Sequence, residues 1–324
     1  MSNKRTFSVN KNDTEKWKED VFKSVKCYND WFMNFAPTTY VQARKEAIAR
    51  VNDVLQTTHY FSTLTSQLLV EVPKSLGILR MSTTPPLALD RLSGLADVPR
   101  SFIKKMEQGK VSSSMNRQTV ALNLDNLLSV VSKLLDREIM PWLNRNELPS
   151  SKERILAASV IADRLCGTLA DPIIRNEQER RQLENINLYL TSKGYNYVET
   201  KDIDRVEDMQ PGTFSYHFNV PVTVGETKKV NMPIDVVLKR RNAKKNEMPI
   251  LIECKSAGDF TNTNKRRKEE ATKIEQLCNT YGMDVEFVLF LCGYFDTGYL
   301  GYEAAEGIDW IWEHRIADFD KLAI

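Results

Sequence analysis

Residues Pro233–Lys255 read PIDVVLKRRNAKKNEMPILIECK, and their pattern decides the fold. Two short apolar runs, IDVVL and PILIEC, flank a charged connector, KRRNAKKNEM, which is how two neighbouring strands joined by a solvated turn are written. Side chains alternate faces along a strand, so Glu253 and Lys255 share one face while Ile252 and Cys254 share the other. If the strand that starts at Ile234 lies alongside, Asp235 brings a second carboxylate to the same end of the sheet. Two converging carboxylates form a hard, oxygen-rich site of the kind Mg²⁺ accepts, completed by waters and a substrate phosphate. The lysine can orient or deprotonate an attacking water and offset the charge that develops on the phosphorane. A Glu-x-Lys triplet alone is common and mostly marks a solvated face. Here it ends a hydrophobic run that reads as a buried central strand, where an acid needs compensation.

Outward from this stretch, the segments YNYVET and FSYHFNVPVTV supply two further strand candidates upstream. Downstream come a helix, KRRKEEATKIEQLCNTY, an apolar strand, VEFVLFLCGY, and IDWIWEHRI as a last edge strand or helix. This order predicts an α/β layered core. A helix beginning near Pro172 and stopping at Gly194 precedes the strands. The polar run LNRNELPSSKER predicts a connection between a mainly helical region, 1–150, and the core, 151–324. In the first half, VQARKEAIARVNDVL and TVALNLDNLLSVVSKLLDREIMPWL carry apolar residues at helical spacing. Residues 77–110 read as a short helix from Leu87, a turn near Gly94 and a second helix after Pro99 that carries Arg100, Lys104 and Lys105. That layout suits a DNA-reading helix-turn-helix, although an ordinary αα-hairpin is the commoner outcome.

Composition narrows the function classes. The 324 residues carry a net charge of only +2, so the protein is no polycation coating nucleic acid. Charge is clustered instead: Lys239, Arg240, Arg241, Lys244 and Lys245 occupy the connector, and Lys265, Arg266, Arg267 and Lys268 open the next helix. Both clusters border the proposed carboxylates, as a groove lined for phosphate contacts requires. Asn262, Asn264, Lys265, Arg266 and Arg267 sit just past the active strand, with side chains suited to base edges or phosphates. Asp259 can hold this loop or support the metal. Five scattered cysteines without a CxxC pair indicate neither a disulfide framework nor a zinc site. The three histidines do not cluster in sequence, which argues against zinc hydrolases and histidine-based nucleases. No signal peptide or membrane span is evident, so a cytoplasmic protein is expected. There is no GxxxxGK[ST] phosphate loop and no glycine-rich methyl-donor motif.

Asp235 followed by Glu253-Cys254-Lys255 resembles the signature of the PD-(D/E)XK nucleases. Longer runs are more specific: ECKSAGDFTNTNKRRKEEATKIEQL and FLCGYFDTGYLGYEAAEGIDWIWEHRI, with MSTTPPLALDRLSGLADV and ADPIIRNEQERRQLENINLYL upstream, resemble type II restriction endonucleases of the XamI group. The similarity spans roughly residues 75 to 320. It implies a PD-(D/E)XK core, a mixed sheet flanked by helices, with a helical N-terminal region for DNA recognition or dimer contacts. It further implies Mg²⁺-dependent cleavage of both strands of a short double-stranded DNA site by a homodimer, with no ATP and with a separate cognate methyltransferase protecting host DNA. Asp235 and Glu253 would hold the metal, Lys255 would position the water, and an acid from the first core helix would assist, Glu179 first and Glu184 behind it. Two alternatives remain open from sequence: a structure-specific repair or recombination nuclease of the same fold, and a non-catalytic DNA-binding regulator using residues 85–107.

Overall fold

The structure is a computed structural model that describes residues 8–111, 115–145, 147–225, 228–261 and 263–324, the side chains of 263–266 excepted. Contacts divide the chain into two compact units, one formed by Ala36–Ile174 and the other by Met1–Phe35 together with Arg175–Ile324. The division falls inside two long helices and not at the polar run near residue 150, because both helices continue through the points where the contacts change.

The first unit is helical. It contains most of α1 (Trp17–Thr57), then α2 (Ser66–Glu71), α3 (Ser75–Met81), α4 (Leu89–Ala96), α5 (Arg100–Glu107), α6 (Arg117–Leu134), α7 (Trp142–Arg145) and the start of α8 (Ser151–Ser192). Leu76, Leu79, Phe102, Ile103, Leu127 and Trp142 form the centre of its core. The turn between α4 and α5 lies at Asp97, which adopts the left-handed conformation (φ 53°, ψ 46°), and Gly94 stays inside α4. Asn116 caps α6 by accepting the Thr119 N–H at 2.7 Å. The expected helix start at Pro172 is a helix interior, since α8 runs 42 residues through that proline. Proline lacks an N–H and crowds the preceding turn, a local cost of about 3 kcal/mol. Burial of Ala157, Ile161 and Cys166 before it and of Ile186 and Leu190 after it fixes helix on both sides.

The second unit is built on a six-stranded mixed sheet in the order β1 (Asn196–Tyr197), β2 (Thr213–Val224), β3 (Lys228–Lys239), β4 (Ile250–Ala257), β5 (Phe287–Gly293), β6 (Asp309–Trp312). The β2–β3 and β3–β4 pairs are antiparallel and β1–β2, β4–β5 and β5–β6 are parallel. The charged connector therefore joins antiparallel neighbours, as its length predicts, and α9 (Thr263–Tyr281) and α10 (Thr297–Ala305) link the parallel strands. One sheet face packs Val237, Leu251, Leu289 and Leu291 with Ile274 and Leu277 of α9. The other packs Val236, Ile250, Ile252 and Phe290 with Ile186 and Leu190 of α8. A mixed sheet with helices is thus present as the sequence leads one to expect. Among the described residues no helix is long and apolar enough to cross a membrane.

The segment before α1 belongs to this unit. Asp309 accepts the backbone N–H groups of Val9 at 2.6 Å and Asn10 at 2.8 Å, and the Trp17 indole donates to the Asn10 carbonyl at 3.0 Å. Trp17 also meets Trp310 edge to face, ring centroids 5.5 Å apart.

Candidate active site

The site begins at a kink. Ile234 and Val237 pack into the same core cluster although an odd number of steps separates them, which a regular strand does not permit. The partner strand bends at the same level. Tyr216 pairs with Val236 and Phe218 with Ile234, so His217 lies opposite Asp235, and His217 adopts φ 51°. Pairing of β3 with β4 reaches only Val236–Ile252. Beyond it the Asp235 carboxylate takes the place of the ladder and accepts the Cys254 N–H at 2.8 Å.

Glu253 and Lys255 lie on one face of β4, as alternation requires. Lys255 Nζ is 3.0 Å from Glu253 Oε1 and 3.2 Å from Glu270 Oε1. Lys273, one turn along α9 from Glu270, donates to Glu253 Oε1 at 2.5 Å. One helix face thus grips both ends of the triplet, Glu270 holding the lysine and Lys273 the glutamate. Neither Glu270 nor Lys273 has a recognisable signal in sequence, beyond standing three apart on one helix face. Burial disfavours the Lys255 ammonium, but Glu253 and Glu270 outweigh it and hold its pKa above the ordinary lysine value. Burial, with Glu253 adding to it, pushes Asp235 up to about 6; the Cys254 N–H and the two lysines work against the rise.

Behind Glu270 lies Glu303 of α10, fully buried, whose pKa burial and the Glu270 charge raise to about 8. Between the unfolded value and about 8, the folded protein holds a proton that the unfolded chain has released. Stability therefore falls as pH rises across that window and levels off above it. Glu303→Gln removes the slope. The variant is expected to exceed the wild type by on the order of 3 kcal/mol at pH 8 and to match it near pH 4.5 in urea titrations. An equal difference at both pH values would show that the carboxyl is not the cause.

Glu179 reaches the same place from α8. A ligand atom each from Glu179, His217 and Asp235 lies within 4.8 Å of the other two. Sequence reasoning did not single out His217, which strand pairing brings to Asp235 across eighteen positions of sequence. The β2–β3 turn at Gly225 was the available clue, because a hairpin counted back from it sets 217 against 235. Glu184 instead pairs with Arg180 at 3.0 Å on the exposed surface.

The basic clusters divide. Lys239 and Arg240 do not face a phosphate groove: β3 extends one residue further than the apolar run and draws both inward. Lys239 is 1% exposed and donates to the Glu207 carbonyl at 3.0 Å and to the Glu247 carbonyl. Arg240 donates to the Leu322 carbonyl at 2.7 Å and pairs with Glu286. Arg241 is exposed, its guanidinium 4.9 Å from the Tyr195 ring centroid. Arg267 lies 3.7 Å over the Tyr302 ring, and Asp259 accepts the Thr261 N–H at 2.7 Å, tightening the loop after β4. Asn262 falls outside the described residues, as do the side chains of Asn264, Lys265 and Arg266.

The donor set fits a divalent cation. Among the described residues no lysine or arginine pairs with Asp235, Glu253 Oε2 is buried without a hydrogen-bond partner, and Glu179 stands alongside. A buried carboxylate oxygen with no donor carries a desolvation cost that an ion removes.

Comparison with known proteins adds identity. The family described as XamI restriction endonuclease matches residues 59–312. The type II restriction enzyme SalI of Streptomyces albus G is 47% identical over 312 residues, covering 96% of this chain and 98% of that protein. The crystal structure of protein VC1899 from Vibrio cholerae aligns over 80% of this chain and 55% of its own at 14% identity and a TM-score of 0.28, too distant to bear on the fold.

Proposed function

From the premise that the chain belongs to the XamI restriction endonuclease family, and is thereby a type II site-specific deoxyribonuclease, we propose that it hydrolyses both strands of a short DNA sequence with Mg²⁺ at a PD-(D/E)XK centre. Asp235 and Glu253 hold the ion, Glu179 assists, and Lys255 positions the water. The observation that carries this reading is the meeting of Asp235, displaced at the kink, with buried Glu253 and its partner Lys255 on β4.

A divalent cation held by Asp235 and Glu253 would supply charge compensation for the reacting phosphate. The chain's own groups do the rest. Lys255, protonated and fixed by Glu253 and Glu270, can donate a hydrogen bond to the incoming water and keep its lone pair directed at phosphorus. The same ammonium offsets negative charge as the phosphorane forms. Glu270 holds the amine independently of Glu253. Arg241 and Arg267 supply phosphate contacts, and residues 85–107 supply sequence reading. We further propose a homodimer, since a two-fold assembly presents one centre to each strand of a symmetric duplex, and a separate methyltransferase that protects host DNA.

Digestion of plasmid DNA tests the reading. With Mg²⁺, discrete fragments with uniform ends are expected, and EDTA should abolish them. Cutting only at branches or ends, or random degradation, would overturn it.

A further inference from the structure

We propose that His217 is a metal ligand: its imidazole joins Asp235 and Glu179 in a carboxylate–carboxylate–imidazole set, which makes the centre selective for nitrogen-accepting divalent ions such as Mn²⁺ and Co²⁺ relative to Mg²⁺ and Ca²⁺. The inference rests on the metal-dependent reading above and names a ligand that the Asp and Glu-x-Lys signature does not contain.

The geometry is specific. Two atoms that share one ion at about 2.1 Å each stand at most about 4.2 Å apart. His217 Nδ1 and Glu179 Oε1 are 3.8 Å apart, inside that span and too far for a hydrogen bond. The two groups therefore converge without satisfying each other. Asp235 is the third corner, its ligand atom within 4.8 Å of both others, a span that a small side-chain adjustment brings onto one ion. Three separate elements, α8, β2 and β3, supply the three groups, and the register sets His217 directly across from Asp235. Glu253 differs: two lysines already hold one of its oxygens. An ion in the metal-free protein meets open donors on the side of Asp235, His217 and Glu179, and meets ammonium groups on the side of Glu253. The imidazole matters chemically because nitrogen donors favour transition-metal ions, whereas Mg²⁺ and Ca²⁺ favour oxygen.

The test is binding of Mn²⁺ alone, without DNA, followed by pulsed electron paramagnetic resonance. The sequence has only three histidines, which makes a ¹⁴N modulation from bound Mn²⁺ easy to assign. At φ 51° asparagine is tolerated far better than a bulky residue, so His217→Asn preserves the fold. The wild type should show ¹⁴N modulation. His217→Asn should lose it and bind Mn²⁺ about 10-fold more weakly or worse, with Mg²⁺ binding changed by less than about threefold. If His217→Asn keeps the modulation and affinity while Asp235→Asn loses binding, the histidine assignment fails and the carboxylate reading survives. If Asp235→Asn binds as the wild type does while His217→Asn loses the signal, the carboxylate reading fails and His217 stands. Full retention in both variants removes both.

Discussion

Asp235→Asn is expected to slow DNA cleavage by about a thousandfold or more while leaving the metal-free protein at least as stable as the wild type. The two halves of this result come from one environment. Asp235 is substantially buried at a kink, next to the Glu253 charge, and its carboxyl is raised to about 6. At neutral pH the unloaded site therefore carries a destabilising charge, and an amide of the same shape relieves it while its oxygen still accepts the Cys254 N–H. What the amide cannot do is bind a divalent ion as an anion. Lys255→Ala should also stop cutting, but it leaves Glu253 and Glu270 buried without the ammonium between them, at a cost of about 3–5 kcal/mol. The asparagine variant separates chemistry from folding and the alanine variant does not. Thermal melts without metal, cleavage rates in Mg²⁺ and DNA binding in Ca²⁺ measure the three quantities. Cleavage by Asp235→Asn within tenfold of the wild type would end the assignment.

Gly293→Ala is expected to lower stability by about 4 kcal/mol or more, enough to remove most of the soluble protein. Gly293 closes β5 at φ 101°, a region that costs any L side chain. A Cβ there would overlap the Ala257 carbonyl oxygen and stand 3.1 Å from its carbon and 3.2 Å from Tyr28 Cδ2. Relief is blocked on each side. The Ala257 carbonyl accepts the Tyr294 N–H at 2.9 Å, and the Gly293 N–H donates to Ser24 Oγ at 2.8 Å. Ala257 lies two residues past Lys255, so any shift that admits a methyl group also moves the strand that carries Glu253 and Lys255. Gly94→Ala is the control: nothing lies within 4 Å of its added Cβ, and inside α4 it should stabilise by about 0.5–1 kcal/mol. Urea midpoints of the two variants, moving in opposite directions, check the pair.

The sheet was readable because its strands write themselves in apolar runs. PIDVVLK and PILIECK carry apolar runs that burial explains, and the connector between them is rich in charge. The Glu253–Lys255 pairing followed from the two-residue period alone. Long-range register was harder. His217 has no local signature, and only pairing across the β2–β3 hairpin sets it beside Asp235. Charge runs misled for a different reason: composition records that Lys239 and Arg240 are cationic, not that internal carbonyls and Glu286 await them. Pro172 misled because a proline's local cost is small against the burial of Ile161, Cys166, Ile186 and Leu190 on either side of it. Glu270 and Lys273 were hidden in the sequence because only the packing of α9 on β4 brings them to Lys255 and Glu253.

Residues 9 and 10 are fastened to Asp309, some 300 positions later. During synthesis at roughly 5–20 residues per second, the first of these waits on the order of 15–60 s for the second to be made. The helical unit, whose residues 36–174 are contiguous, has every partner in hand long before. A ribosome that halts shortly before Asp309 therefore releases a chain whose leading end lacks this anchor, and the sheet unit closes only after Asp309 has been made.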